Sequence, residues 1–401
     1  MNKQFEQGYK PQYDKILTFL LQLYCILLPF EEALASSFGS IQRIIGFIII
    51  GYVVFSRRFK VELLNDYFQL VIWISFCAIS IIWSPSTDNW LYFFKIYAVQ
   101  ILFLIIVLGA GYNAVDLEKI RGALIFGGVI SAALIILLPS QSFLTEEGRR
   151  TIILFGRTFD PNIVAAIMSM GIVSSISGFI NSEKPKERIL FFAVCVWTIA
   201  GVLFTGSRGG IISLTIGIVF LLYPELKIKA NRKWVKRIIW IGIIAIIGVI
   251  ILLPEELILA RFSKETFFGL NELEAGSHNR YTIWMNSWTL FKNDFVLGCG
   301  CGNFMNSLST VYRSSASHNL YILLLVEGGI IGFVIFTSYI YLLMKKIVVY
   351  KLFVARSMLI TALIMALTLD SITYKYFWVT LIYSSISIRQ RKQIENTRVV
   401  K

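Results

Sequence analysis

Charged side chains are scarce in this chain of 401 residues, where Asp, Glu, Lys and Arg make up 15% of the total. Soluble domains average about one-quarter charged residues, so an ordinary soluble domain is excluded. Hydrophobic residues reach 56%, and they gather in long apolar runs that short polar segments separate. This alternation predicts an all-α, polytopic helical membrane protein.

Acidic residues are the scarcer of the two charge types. Asp and Glu total 24 against 38 Lys and Arg, which gives a formal net charge of +14. A basic chain can bind nucleic acid, but here the basic residues lie between the apolar runs, where they set membrane orientation. We therefore expect membrane lipids as partners and no nucleic acid.

Cysteine and histidine are also few, with five and two residues. Three cysteines lie in apolar runs, where a cysteine behaves as a small hydrophobic residue. Cys299 and Cys301 form a C-x-C pair whose role the sequence leaves open, a labile disulfide being one alternative. A metal site would need two more ligands, and only His278 is near in sequence. We predict no metal and no cofactor.

The apolar runs predict about twelve transmembrane helices within a single membrane domain, residues 1–401. The predicted spans are 16–30, 41–56, 67–83, 90–110, 121–139, 162–180, 189–205, 209–224, 237–254, 319–344, 353–370 and 372–388. The first span also has the features of a signal peptide, since "ALA" at 33–35 resembles a cleavage site. We favour a retained first helix.

The distribution of Lys and Arg predicts the orientation. Twelve spans with the N-terminus inside place 26 of the 38 basic residues in the inside segments, which favours an N-in, C-in topology. Residues 255–318 then form a large extracytoplasmic loop between spans 9 and 10. Apolar residues at helical spacing in 256–263 and 279–294 predict short amphipathic helices along the outer membrane surface.

Three arginines lie on the predicted outer side, close to the membrane. Arg208 is in "GSRGG" at 206–210, where Gly206, Gly209 and Gly210 permit a tight turn. The other two are Arg157, just before a helix that Asp160 and Pro161 should begin, and Arg280, at the head of a predicted helix. Arginine binds phosphate oxygens with paired hydrogen bonds. Together they indicate a site for an anionic ligand, although singly each could be structural.

His318 begins the tenth predicted span, and Ser315 or Ser317 is expected to cap that helix. The helix dipole and the nearby arginines disfavour an imidazolium, so His318 could accept a proton from a sugar hydroxyl. The alternative is an interfacial histidine that bonds a loop carbonyl. The sequence leaves both readings open.

Glu327 lies nine residues further on, deeper in the same span and on roughly the opposite helix face. It is expected to be structural, either paired with Lys95 or Arg43 or protonated. Gly328, Gly329 and Gly332 would let another helix approach closely.

These motifs resemble the O-antigen ligase and polymerase family of membrane glycosyltransferases. The resemblance rests on "GSRGG" at 206–210, "NRYTIW" at 279–284 with "LGCGCGNF" at 297–304, and "SHNLYILLLVEGGIIG" at 317–332. It covers about 155–335. The last motif has a His-Asn pair followed by G-x-x-G, at His318, Asn319, Gly329 and Gly332.

The resemblance implies a GT-C-like, metal-independent, inverting glycosyltransferase that uses a glycan on undecaprenyl diphosphate as donor. It implies that His318 is the base, that Arg208 and Arg280 hold the diphosphate, and that Arg157 is a weaker candidate for that role. Asn319 and Glu327 would support the site. The active site would face the periplasm or the extracellular side of a bacterial cytoplasmic membrane.

Three functions stay open. A polymerase would extend a capsular, O-antigen or exopolysaccharide chain, with a chain-length regulator protein as a candidate partner. A ligase would transfer the glycan to lipid A core or another terminal acceptor. A polysaccharide transporter or flippase is the alternative of a different class, but it would place charge near the bilayer midplane, and the sequence shows no internal repeat. We favour the polymerase, because the outer loop has no extra domain for a protein acceptor.

Overall fold

The computed structural model describes most of the chain. The described residues are 14–31, 41–56, 67–138, 150–154, 157–252 and 280–399, with the backbone alone for 157, 243–252 and 396–399. Residues 255–279 of the predicted outer loop, with the predicted helix at 256–263, lie outside the described residues.

The described residues form fourteen α-helices and one short hairpin. The helices are α1 Lys15–Ile26, α2 Ile41–Phe55, α3 Phe68–Ile79, α4 Thr87–Gly109, α5 Ala114–Leu137, α6 Pro161–Asn181, α7 Pro185–Phe204, α8 Arg208–Glu225, α9 Arg232–Leu252, α10 Arg280–Asn293, α11 Phe304–Ser309, α12 Leu320–Val349, α13 Phe353–Met365 and α14 Lys375–Val399. In the hairpin, β1 Ile153–Leu154 pairs antiparallel with β2 Arg157–Thr158.

Each of the twelve predicted spans falls on one of these helices. Within the described part, six helices are long and apolar enough to cross a membrane, namely α4, α5, α6, α7, α8 and α12, and four more are shorter apolar helices. The prediction of a helical, multi-pass membrane protein is therefore confirmed. The number twelve and the N-in orientation stay predictions.

Helix α6 lies at the centre of the bundle. Its most apolar stretch is 94% buried inside the protein, whereas that of α7 is 17% buried. Small residues make this possible: Gly171 of α6 faces Leu124 and Gly128 of α5. The serines of α6 are satisfied within the helix, as Ser174 Oγ donates to the Met170 carbonyl at 2.9 Å. Because α6 is enclosed, its first residues are held firmly in place.

The helix ends that carry the predicted site gather at one end of the bundle, which we name the His318 end. There α6 and α8 begin side by side, since Ser207 Oγ and Asn162 Oδ1 share a hydrogen bond of 2.6 Å. Helix α12 begins beside the end of α13, because the Leu320 N–H donates to the Ala366 carbonyl at 2.8 Å. Four helix termini from distant parts of the sequence therefore meet in one place.

Helix α12 is broken at Gly329, whose φ of 57° and ψ of −163° are not helical. A break releases backbone groups from the helical ladder, and buried backbone groups need partners. The segment after α10 supplies them: Cys299 N–H donates to the Val326 carbonyl at 2.8 Å, and Gly300 N–H to the Glu327 carbonyl at 2.9 Å. The glycine-rich segment thus completes the hydrogen bonding of the broken helix.

The close approach at Gly329 is made by this segment and not by a helix. A Cβ on Gly298 would lie 2.5 Å from the Gly329 nitrogen. The expectation that a helix approaches holds only at Gly328 and Gly332, where Phe76 of α3 packs.

Helix α10 forms where the sequence predicted a helix, at 279–294, and it runs beside α12. At its first turn, Trp284 Nε1 donates to the Ser317 carbonyl at 3.0 Å, and just past its end the Phe295 carbonyl accepts from Ile330 N at 2.9 Å. Both ends are thus tied to α12 at different depths. The buried stripe of α10 is Ile283, Ser287 and Phe291.

Candidate functional site

His318 lies two residues before the start of α12 and has the left-handed backbone conformation, with φ of 48°. Asn319, and not Ser315 or Ser317 as predicted, caps the helix, because its side chain accepts from the N–H groups of Tyr321 and Ile322. His318 is one of the residue types that adopt this conformation more readily than most. The half-buried imidazole therefore leaves the chain at a sharp, fixed turn.

Asp370 holds this turn from the connection between α13 and α14. Its Oδ1 accepts from the Asn319 N–H at 3.1 Å and also from the Ser317 hydroxyl. Burial raises the pKa of Asp370, while Ser317, the charge of His318 and the backbone N–H groups of Asn319 and His318 lower it. A carboxylate beside an imidazole can orient the ring and stabilise the imidazolium that forms on proton transfer.

Sequence reasoning missed Asp370. The only local signal was an acidic residue at the end of an apolar run, as the last residue of the predicted span 353–370. Since Asp370 and Asn319 are 51 positions apart, no spacing pattern could join them.

Arg208 is the first residue of α8, and the turn before it is tightly built. Ser207 caps the helix by accepting from the Gly210 N–H at 3.0 Å, and Gly206 has a φ of 59°. A Cβ on Gly209 would lie 2.6 Å from Thr368 Oγ1. The Arg208 turn therefore packs directly against the segment that leads to Asp370, two residues further on.

Arg280 is the first residue of α10, one helical turn before Trp284. Because Trp284 donates to the Ser317 carbonyl, the start of α10 is docked against the residue that precedes His318. Arg280 and Arg208 are both half-buried and engaged in interactions. The structure thus brings the segments that carry Arg208, Arg280 and His318 to the same end of the bundle.

Arg157 begins β2, and only the backbone of Arg157 is described. The segment that leads into the hairpin lies against the end of α7, because the Arg150 N–H donates to the Phe204 carbonyl at 3.2 Å. The Arg150 guanidinium also stacks over the Phe204 ring, 4.5 Å from its centre. The predicted start of the next helix is confirmed, with Asp160 as cap and Pro161 as first residue.

Glu327 is buried and turned toward the glycine-rich segment. Its Oε1 accepts from the Phe304 N–H at 3.3 Å, at the start of α11. This carboxylate therefore joins α12 to the segment that fills its break. The cysteines of that segment, Cys299 and Cys301, are both free thiols.

Known proteins support the resemblance that these motifs suggested. Residues 193–337 match the family model described as O-Antigen ligase. The match starts within α7 and ends within α12, so it includes Arg208, Arg280 and His318 but neither Arg157 nor Asp370.

An uncharacterized protein of Haemophilus influenzae is 25% identical over 190 residues, which are 43% of this chain and 46% of that protein. The chain thus spans about half the length of this relative. The family match supports a membrane glycosyltransferase of the ligase or polymerase type. The resemblance to the O-antigen ligase and polymerase family is confirmed for residues 193–337.

Proposed function

We propose that the protein transfers a glycan from undecaprenyl diphosphate to a sugar hydroxyl on the outer side of the bacterial cytoplasmic membrane. It does so as the repeat-unit polymerase of a cell-envelope polysaccharide. One observation carries the proposal: the His318 turn, held by Asp370, meets the helix starts of Arg208 and Arg280 at one end of a helical membrane bundle.

His318 acts as the general base. Its imidazole takes the proton of the acceptor hydroxyl while the hydroxyl oxygen bonds to the anomeric carbon of the donor. Asp370 holds the turn that carries the ring, and its negative charge stabilises the imidazolium. The imidazolium then loses its proton to solvent, and the base is restored.

Arg208 and Arg280 act on the leaving group. As the bond between the anomeric carbon and the phosphate oxygen breaks, its electron pair stays on the diphosphate, which gains negative charge. Guanidinium groups stabilise this charge through paired hydrogen bonds, and the N-terminus of a helix adds a favourable dipole. Attack from the face opposite the diphosphate inverts the anomeric carbon.

Ligation to a terminal acceptor is the second candidate, because the matched family model is described as O-Antigen ligase. Both reactions use the same donor and the same leaving group, so the arginine and histidine roles are common to them. They differ only in the acceptor. We favour polymerisation because the predicted loop 255–318 has no room for a domain that would bind a protein acceptor.

The test is the His318→Ala variant in a cell that makes a defined glycan through this protein. We expect single repeat units to accumulate on the lipid carrier, which is the result for a polymerase. Full-length chains left on the carrier would instead indicate a ligase. Unchanged glycan would remove His318 from the mechanism.

Arg313→Ala is a matched control at the same end of the molecule. It removes a cation that has no part in the proposed mechanism, so the glycan should keep its normal length. A transporter would give a different result, because repeat units would then stay on the inner face of the membrane, out of reach of an external glycosidase.

A further inference from the structure

Two cysteines from distant parts of the chain lie side by side where the glycine-rich segment after α10 packs on α3. Cys77 belongs to the last turn of α3, and Cys301 to the glycine-rich segment. A side-chain hydrogen bond joins their thiols. Both residues are buried, with 5% and 3% of their surface exposed. Neither thiol has a part in the proposed transfer, so their contact needs another explanation.

One hydroxyl group holds the two backbones next to each other. Ser80 Oγ donates to the Cys77 carbonyl at 2.7 Å and accepts from the Cys301 N–H at 3.0 Å. The neighbouring glycine allows the close approach, since a Cβ on Gly300 would lie 3.2 Å from Ser84 Cα and 3.3 Å from the Ser80 carbonyl oxygen. Backbone contacts therefore bring the two thiols together.

A metal ion would need at least a third ligand at this point. No group of three or more Cys, His, Asp or Glu side chains within the described residues could hold a metal ion. Cys299, the other cysteine of the segment, is half-buried, and its Sγ lies 3.8 Å from the Gly300 carbonyl oxygen. Two adjacent, buried thiols without further ligands are the arrangement from which a disulfide forms.

Both cysteines lie toward the predicted outer side of the membrane. Cys301 is in the predicted outer loop 255–318, and Cys77 is near the outer end of the predicted span 67–83. Disulfides form and persist in oxidising compartments outside the cytoplasm, and they are rare within it. The predicted compartment therefore favours the oxidised form of this pair.

We propose that Cys77 and Cys301 form a disulfide that joins α3 to the glycine-rich segment. A bond forms between the two sulfur atoms, and the two protons and two electrons of the thiols pass to the disulfide of an extracytoplasmic thiol oxidoreductase, which becomes a dithiol. Because both thiols are buried in the folded chain, this exchange takes place before the segment packs on α3. The proposal rests on the outer placement of these residues, which the proposed function shares, and not on the reaction that the protein catalyses.

The disulfide fixes the segment that fills the break in α12. On one side this segment bonds the Val326 and Glu327 carbonyls of the broken helix, and on the other side it rests on α3 through Ser80. A covalent link to α3 prevents the segment from leaving the break. The backbone groups that the break releases then keep their partners.

Thiol counting on the full chain tests the proposal. Membranes are quenched in acid, the chain is denatured and labelled with N-ethylmaleimide, and the intact mass gives the number of labels with and without prior reduction. With five cysteines in the chain, we expect three labels without reduction and five after it. Five labels without reduction would overturn the proposal.

Single alanine variants identify the two partners. Cys299→Ala is the matched control, and it should take two labels without reduction and four after it, because it keeps the Cys77–Cys301 bond. Cys77→Ala should take four labels in both cases. A C-x-C disulfide between Cys299 and Cys301 would instead give four labels on Cys299→Ala and two on Cys77→Ala without reduction, which would contradict the proposal.

Treatment of the membranes with diamide, a small thiol oxidant, separates a wrong compartment from a wrong geometry. If five labels fall to three only with diamide, the thiols can pair but face a reducing compartment, and the outer placement fails for the proposed function as well. If five labels remain even with diamide, the pairing itself is wrong and the proposed function is unaffected. Either result overturns the disulfide.

Thermal stability gives a second readout. A phosphine reductant should lower the unfolding midpoint of the unaltered chain in detergent by several degrees, because it opens a bond that closes a long loop. Cys301→Ala should start from a lower midpoint and should not respond to the reductant, whereas Cys299→Ala should respond as the unaltered chain does. A midpoint of the unaltered chain that ignores the reductant would contradict the proposal.

Discussion

Two glycine-rich segments of the chain, residues 206–210 and residues 297–302, look alike in sequence but make different contacts. The first forms the turn before α8 and places Arg208 at a helix start beside the His318 turn. The second fits against the break in α12, where its N–H groups bond the Val326 and Glu327 carbonyls. One segment presents a charged side chain, and the other satisfies buried backbone.

The conformations of the glycines show the same difference. In the segment 297–302, Gly298, Gly300 and Gly302 all have positive φ. In the segment 206–210 only Gly206 does, while Gly209 and Gly210 are helical residues that leave room for neighbouring side chains. Glycine content alone therefore does not indicate a ligand site. The partner of the segment decides whether its role is chemical or structural.

The largest expected effect is on the chemical side of this comparison. Arg208→Gln should lower the rate of glycan transfer by a factor of about 100 to 1,000, as the loss of one preorganised donor does elsewhere. The thermal unfolding midpoint should change little. Arg208→Lys keeps the charge but loses the paired geometry, so it should recover only part of the rate. Normal turnover in the Arg208→Gln variant would show that the segment 206–210 has no chemical role, and the contrast with the segment 297–302 would be lost.

Gly329→Ala should have the largest effect on the structural side. An added Cβ would overlap the Val296 carbonyl, and the φ of 57° is unfavourable for alanine. Left-handed strain and overpacking together should cost roughly 3 kcal/mol, measured as a loss of thermal stability in detergent. Gly122→Ala is the matched control, because a Cβ there meets nothing within 4 Å.

Sequence reasoning predicted the parts of the fold that depend on local composition. Each predicted span falls on a helix, and Asp160 with Pro161 begins α6 as expected. Apolar length and helix-start chemistry are properties of neighbouring residues, so a single sequence displays them. The grouping of arginine-bearing turns at one end also followed from counting spans.

The missed features depend on residues far apart in sequence. Asp370 accepts a hydrogen bond from Asn319, which lies 51 positions earlier in the sequence. The break at Gly329 is possible because a segment about thirty residues earlier bonds the backbone groups that the break releases. Within an apolar run, a Gly-Gly pair is as typical of a close contact between two helices as of a break in one helix. Asn319 was expected to support the site but not to cap α12. Ser317 does not cap the helix because its hydroxyl bonds Asp370 and the Asn319 carbonyl instead.

The Asp370→Asn variant tests whether Asp370 acts through its negative charge or only by holding the His318 turn. The amide keeps the size of the side chain but cannot stabilise an imidazolium, so kcat should fall roughly tenfold or more. Because burial raises the pKa of Asp370, its carboxylate becomes protonated at a higher pH than that of an exposed aspartate. The activity of the unaltered protein should therefore fall as the pH is lowered and the Asp370 carboxylate becomes protonated.

The asparagine variant lacks this titration, so its rate should fall less steeply toward acid pH. The measurement is the pH dependence of kcat for both proteins. An equally steep acid fall in the variant would exclude Asp370 as a group that acts through charge.

Ser207→Ala has the smallest expected effect and tests the structural part of the turn 206–210. The change removes the cap of α8 and the hydrogen bond to Asn162, which should lower stability by about 1 kcal/mol. Ser207→Thr keeps the hydroxyl and should lose less. Transfer should slow only a few-fold, since Arg208 stays in place. Ser207→Ala should match Gly329→Ala in its loss of stability only if the turn before α8 were as structural as the segment against α12. That result would remove the difference between the two glycine-rich segments.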